Sequence, residues 1–229
     1  MLEIIRIHNE LLGTYGDQGN AEVLAFRAKL AGVKARITDI AYNDAIPTTG
    51  DIYLLGGAED AAQALSLAAM QRTMALNKAV KKGAVVLAIC AGFQIIGTSF
   101  ISRDEKIAGL GLLDVSTAPG SRRLVGDIAI SHQELGITLT GFENHGGVTT
   151  LGEGVAPFGR VLQGNGNGVG GIDGAVSGSV FGTYLHGPLL ARNPEFADYL
   201  LTRATGKQLP LVHDELATKY ADWRRSLVQ

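Results

Sequence analysis

The stretch Val85-Val86-Leu87-Ala88-Ile89-Cys90-Ala91-Gly92-Phe93-Gln94-Ile95-Ile96-Gly97 decides the fold. A short, β-branched, wholly apolar run is the pattern of a strand buried on both faces, as in a parallel sheet covered by helices. The run stops at a lone cysteine, followed by small residues and a helix-like segment. Cys90 therefore sits at a strand-to-helix turn. Such a tight bend presents a nucleophile when its neighbours are small, and Ala88 and Gly92 stand two residues to either side. Unpaired N–H groups at a helix start also favour a thiolate. A cysteine in an apolar run is equally the pattern of a small buried hydrophobe, so the reading depends on what the rest of the chain supplies.

Upstream, a first strand is expected over Ile4–His8, then a glycine-punctuated loop, Leu12 to Asn20, and a helix with Val23, Phe26 and Leu30 as its buried stripe. Strands follow near Val33–Ile40 and over Ile52–Leu55, the latter ending in Gly56-Gly57-Ala58-Glu59-Asp60. One long helix then carries Leu65, Ala69, Leu76 and Val80 on one face and closes at Lys81-Lys82-Gly83. This alternation argues for βαβ units and a parallel sheet, whose ligand sites lie at the carboxyl ends of the strands. The loops at Gly13–Asn20, at Gly56–Asp60 and at Cys90 are thus expected to meet in one crevice.

Downstream the rhythm turns to short strands: Leu124–Ile130, Ile137–Phe142, Gly159–Leu162 and Ala175–Tyr184, expected to pack on the same sheet. The segment Gly164 to Gly171 reads as a mobile hairpin tip or loop with Asn-Gly turns. No Gly-Lys-Ser/Thr follows it, so it is not a phosphate loop. Asn193–Thr205 reads as a helix with Pro194 at its first position. A last amphipathic helix carries Leu216, Tyr220, Trp223 and Leu227 as packing residues.

Composition narrows the classes. The 229 residues fit a single α/β domain, residues 1–229, able to bury a large core; 46% hydrophobic against 18% charged residues argues against disorder. A net charge of -2 offers no basic surplus for nucleic acid. One cysteine closes no internal disulfide and builds no multi-cysteine zinc site, so no metal is implied and a reducing cytoplasm is expected. Charges in Met1–His8 do not suit a signal peptide, and no apolar run is long enough for a membrane span.

A thiolate attacking a carbonyl needs a base, and donors for the developing oxyanion. His186 follows the strand-like Val180–Leu185 and precedes Gly187-Pro188, so it is delivered at a strand end. His145, in Phe142-Glu143-Asn144-His145-Gly146-Gly147, is the competing base. Backbone N–H groups of Ala91 and of the Gly56-Gly57 turn are the natural oxyanion donors, each worth roughly 3 kcal/mol.

Six motifs together carry a resemblance: Tyr15-Gly16-Asp17-Gln18-Gly19-Asn20, Gly56-Gly57-Ala58-Glu59-Asp60, Cys90-Ala91-Gly92-Phe93-Gln94, Arg123-Leu124-Val125-Gly126-Asp127, Glu143-Asn144-His145-Gly146-Gly147 and Gly182-Thr183-Tyr184-Leu185-His186-Gly187-Pro188. Over nearly its whole length the chain resembles the class I glutamine amidotransferases of the cobyric-acid-synthase-like branch, and within it the glutaminase subunits of lipid II isoglutaminyl synthases. The resemblance implies that Cys90 attacks the side-chain amide of L-glutamine, that His186 shuttles the proton, and that a γ-glutamyl thioester is hydrolysed to glutamate and ammonia. It also implies an arginine on the substrate carboxylate, Arg123 or its neighbour Arg122, a pairing suited to a guanidinium.

One position departs from the wider class. Many members carry a glutamate two residues after the catalytic histidine, and here Pro188 occupies that place. Asp17 or Glu143 is then the orienting acid, or a Cys-His dyad suffices. No Walker motif is present, so the resemblance implies an ATP- and Mg-dependent partner chain: a Mur-ligase-like synthetase subunit, MurT, in a heterodimer that amidates the D-glutamate α-carboxyl of lipid II. No cofactor is expected in this chain. The alternatives are a glutaminase serving a cobyrinate-type acceptor, a free-standing cysteine hydrolase, and a non-catalytic thiol redox sensor or scaffold built on Cys90.

Overall fold

The computed structural model describes residues 1–228. In chain order the elements are β1 (Leu2–Ile7), α1 (Asn9–Leu12), α2 (Gly19–Leu30), β2 (Ala35–Ile40), β3 (Ile52–Leu55), α3 (Asp60–Gln71), α4 (Ala75–Lys81), β4 (Val85–Ile89) and α5 (Ala91–Ile96). The second half runs through β5 (Ser99–Ser102), β6 (Glu105–Ala108), β7 (Val115–His132), β8 (Ile137–Leu151), β9 (Gly159–Gln163), β10 (Ile172–Asp173), β11 (Ala175–Ser177), β12 (Val180–Thr183), α6 (Leu189–Arg192), α7 (Pro194–Thr205) and α8 (Glu215–Ser226).

The apolar run read as a central strand is one. β4 lies inside a six-stranded sheet ordered β11-β12-β4-β3-β1-β2, in which every pairing is parallel except β11 with β12. All five of its residues are buried, because helices cover both faces and leave no polar side of the pleat. Val86, Leu87, Ala88 and Ile89 pair with Val180, Phe181, Gly182 and Thr183 of β12, which sets the ends of the two strands side by side. That register brings the segments after Ile89 and after Thr183 together.

Gly182 shows how tightly α5 packs on this sheet. A Cβ added there would stand 2.0 Å from Cδ2 of the fully buried Phe93. Gly182→Ala is therefore expected to destabilise by roughly 1–3 kcal/mol through overpacking, measured as a lowered urea midpoint.

Of the β-rich half, β11 and β12 extend the first sheet as expected, whereas β5 to β10 form a second sheet of their own. β7 and β8 make a long antiparallel hairpin, flanked through β9 by β10 and through β5 by β6; the β5–β6 hairpin has no counterpart in the sequence reading. The span expected as one strand, Ala175–Tyr184, is two strands folded back at Gly178-Ser179. Two isolated bridges join the sheets, Phe142 with His186 and Ala156 with Val176.

Three helical expectations change. The long helix before β4 is two helices, broken at Met74 in a left-handed conformation (φ 50°). Leu67 and Leu76, both buried, are half a turn out of phase at about 100° per residue, so one straight helix could not bury both. Helix α2 packs through Ala21, Leu24 and Ala28, and buries Arg27 in a bidentate pair with Asp198 (2.6 Å each), leaving Phe26 and Leu30 half exposed. Helix α8 turns Leu216, Tyr220, Trp223 and Leu227 outward and docks instead through Ala221 and ion pairs of Arg224 with Asp127 and Arg225 with Glu195. No helix among the described residues is long and apolar enough to cross a membrane.

The glycine-rich segment is also different from its expectation. It is clamped, with Glu143 accepting hydrogen bonds from the Asn165 and Gly166 N–H groups and from the Asn165 amide, while the fully buried Asn167 exchanges bonds with Gly174. Gly164, Gly166, Gly168, Gly170 and Gly171 all adopt positive φ, a run of left-handed backbone that glycine alone adopts without strain.

Candidate active site

Cys90 follows β4 directly as the residue that caps α5, with φ 55° and ψ −108°. A side chain held at such positive φ is strained, which the surrounding packing must over-determine. The Cys90 N–H is fixed to the Thr183 carbonyl at 2.9 Å, and its carbonyl accepts from the Gln94 N–H at 3.0 Å. Gly92 lets the bend approach β3, since a Cβ there would meet Leu55 Cβ at 2.7 Å.

His186 emerges from the end of the neighbouring strand β12. Its backbone exchanges both hydrogen bonds with Phe142, so the second sheet grips the residue that the first delivers. The imidazole is fully buried, stacked on Phe142 (5.1 Å between centroids) and tilted against Tyr15 (4.7 Å). Nδ1 lies 2.9 Å from Oδ2 of Asp17, itself buried. With Nδ1–H donating to the carboxylate, Nε2 is the ring atom left for the sulfur, and it is buried with no hydrogen-bond partner. Burial alone would depress the His186 pKa, but the Asp17 hydrogen bond, then the Cys90 side chain, outweigh it and push it up to about 9.

The carboxylate thus joined to His186 is Asp17; Glu143 spends its oxygens on the glycine-rich segment and stands 4.0 Å from His145. His145 donates Nδ1–H to the Gly147 carbonyl at 2.9 Å and stacks on Tyr184 at 3.6 Å between centroids. Burial drives its pKa down to about 4, so the ring is neutral at physiological pH.

A cavity of about 260 Å³ opens over the sulfur, lined by Cys90, Ala91, Gln94, Tyr15, Ala58, Glu59, Asp60, Arg123, Asn144 and His145, among others. That is smaller than the roughly 300–1,000 Å³ of drug-sized pockets and suits a ligand of amino-acid size. Arg123 rather than Arg122 reaches it. The β7–β8 pairing slips between Pro119 and Leu124, and such a bulge re-aims the side chains on it. Arg123 Nε donates to Asn144 Oδ1 at 2.6 Å and Nη2 to the Tyr15 hydroxyl at 2.9 Å.

As the first residue of its helix, Ala91 has an N–H with no intrahelical acceptor. The Gly57 N–H is engaged by Asp17 Oδ2 at 2.9 Å, which leaves Ala58 as the cavity-lining residue of that turn. Gly57 itself permits the close approach of rings, because a Cβ would lie 2.6 Å from Tyr15 Cδ2 and 2.8 Å from His186 Cε1.

Tyr15, Glu59, Gln94 and Asn144 were not singled out from sequence as site residues, although each lies inside a motif that was. Gln94 belongs to a buried relay, accepting from Gln63 at 2.9 Å and donating to the Tyr184 hydroxyl at 3.2 Å, which is 2.7 Å from the Thr149 hydroxyl. No group of three or more His, Cys, Asp or Glu among the described residues could hold a metal ion.

Residues 3–194 match the CobB/CobQ-like glutamine amidotransferase domain. The chain is 34% identical over 238 residues to the Streptococcus pneumoniae protein named lipid II isoglutaminyl synthase (glutamine-hydrolyzing) subunit GatD, covering 96% of this chain and 91% of that one. It is 37% identical over 207 residues to the Staphylococcus aureus protein of the same name, covering 89% and 84%. Among solved structures, one described as a glutamine amidotransferase superposes with a TM-score of 0.62 over 88% of this chain and 98% of that one, at 18% identity, a likeness of fold alone.

Proposed function

Because the chain belongs to the CobB/CobQ-like glutamine amidotransferase family, we propose that residues 1–229 form one glutaminase domain in which Cys90 and His186 convert L-glutamine to L-glutamate and ammonia. The observation that carries this reading is the Asp17–His186 pair at 2.9 Å, whose Nε2 has no hydrogen-bond partner, beside a Cys90 side chain close enough to help raise the His186 pKa and itself lining a small cavity.

In this mechanism the Cys90 thiolate attacks the amide carbon and the carbonyl oxygen becomes an oxyanion. The Ala91 N–H and the Ala58 N–H stabilise it. His186 delivers its Nε2 proton to the departing nitrogen, ammonia leaves, and a γ-glutamyl thioester remains. Water then attacks the thioester with His186 Nε2 as base, and glutamate departs with the thiol restored. Asp17 keeps the proton on Nδ1 and steadies the imidazolium. Arg123 holds the substrate carboxylate.

Ammonia freed into water would be protonated and lost to the acceptor. The reading therefore includes a partner, a Mur-ligase-like subunit (MurT) that binds ATP and Mg and activates the D-glutamate α-carboxyl of lipid II, so that the pair makes D-isoglutamine in the cytoplasm. End-to-end similarity to two proteins named as GatD subunits supports this acceptor over a cobyrinate-type one. The test is to co-express the chain with that subunit and supply lipid II, ATP and L-glutamine. Glutamine-dependent amidation that vanishes when this chain is omitted, while free ammonium still sustains the partner, is the expected result. Co-purification with a cobyrinate-amidating synthetase instead would overturn the acceptor.

A further inference from the structure

We propose that Glu59 reads the α-ammonium of the substrate while Arg123 reads its α-carboxylate, so that the cavity rim selects a zwitterionic amino-acid amide over simpler amides. This rests on the glutaminase reading and adds the group that sets its substrate class.

The cavity is lined by Arg123 and by two carboxylates, Glu59 and Asp60, of which Glu59 is joined to Arg123 through a hydroxyl. Arg123 Nη2 donates to the Tyr15 hydroxyl at 2.9 Å, and that hydroxyl donates to Glu59 Oε1 at 3.2 Å. All three residues line the same cavity as Cys90. Opposite charges on flexible side chains close on each other unless something holds them apart. Here Tyr15, fixed by its packing on His186, stands between them, and Asn144 pins the guanidinium through Nε. The spacing leaves room for an ammonium and a carboxylate borne on one carbon. With the reacting amide at Cys90, two methylenes carry that carbon back to the rim.

Glu59 is also not used by the fold for anything else. It occupies the N-cap of α3 with an extended backbone (φ −81°, ψ 157°), yet its side chain makes no capping hydrogen bond. Glutamate is a poor capping residue, and the first-turn carboxylate that suits the helix dipole is Asp60. A carboxylate exposed at a cap position and turned toward the cavity is available to a cation.

The test compares three amides in ammonia-release assays on the chain with its synthetase partner: L-glutamine, glutaramate, which lacks the amine, and 4-aminobutanamide, which lacks the carboxylate. Wild type is expected to prefer L-glutamine to both. In Glu59→Gln the ratio of kcat/KM for L-glutamine to that for glutaramate is expected to fall roughly 10-fold, carried by KM, as one charge-assisted bond at an exposed rim implies. In Arg123→Gln the corresponding fall is in the ratio of L-glutamine to 4-aminobutanamide. A Glu59→Gln ratio within twofold of wild type overturns the proposal, as does a fall produced by Asp60→Asn instead. Absence of ammonia release from L-glutamine by the wild-type pair would sink the glutaminase reading itself, a separate outcome.

Discussion

Replacing Cys90 by alanine is expected to abolish ammonia release from L-glutamine, by at least roughly 10⁴-fold, while leaving the fold intact. The size follows from the role: without sulfur there is no thioester route, and what survives is binding and oxyanion stabilisation alone. The fold survives because the change removes one atom at the cavity floor, and alanine is small enough for the bend whose neighbours are Ala88 and Gly92. Circular dichroism and a urea midpoint near that of wild type check that half. Cys90→Ser is expected to be nearly as inactive, since a hydroxyl is far harder to deprotonate. A redox sensor or scaffold would behave otherwise, with alanine preserving function and serine erasing only the response to oxidants.

The second large effect belongs to Asp17→Asn, expected to lower kcat by roughly 10²–10⁴-fold through the wrong histidine tautomer. Asp17 Oδ2 accepts from both His186 Nδ1 and the Gly57 N–H, so it holds the imidazole and the turn beside it together. An asparagine retains the shape and loses the charge. The same variant carries a pH signature. The folded-state pKa of His186, about 9, lies above the ordinary 6.5, so folding favours the imidazolium. That stabilisation is complete below about pH 6.5 and drains away as pH rises through about 9. Urea unfolding across this window is expected to show wild type losing its advantage over Asp17→Asn as pH climbs. An advantage constant with pH, with kcat preserved, would mean that the acid does not serve the histidine.

The fold's centre was legible because one short run, Val85–Ile89, has only one home, a strand buried on both faces. The sequence also pointed to Cys90 and His186 as partners, since each follows a predicted strand. Their proximity depends on the β4–β12 pairing, which no local pattern reveals. Asp17 and Glu143 read alike from sequence, and only the folded chain separates a carboxylate on His186 from one clamping a glycine-rich segment.

Amphipathic periodicity misled where polar or small residues did the packing. In α2, Arg27 is buried by its pair with Asp198 while Phe26 faces out. In α8 the apolar positions Leu216, Tyr220, Trp223 and Leu227 share a face that the described structure leaves uncovered. The β-rich half was expected on the first sheet, and only β11 and β12 join it; the separate sheet of β5 to β10 was missed because long-range hairpin register, unlike strand content, is set by tertiary packing.

The most direct measurement is intact mass and peptide mapping of the chain after acid quench of turnover with L-glutamine. The account predicts one γ-glutamyl group on the peptide bearing Cys90, lost on hydroxylamine treatment and absent in Cys90→Ala. Ammonia release at an undiminished rate with no adduct at Cys90, or with an adduct at another residue, would contradict it.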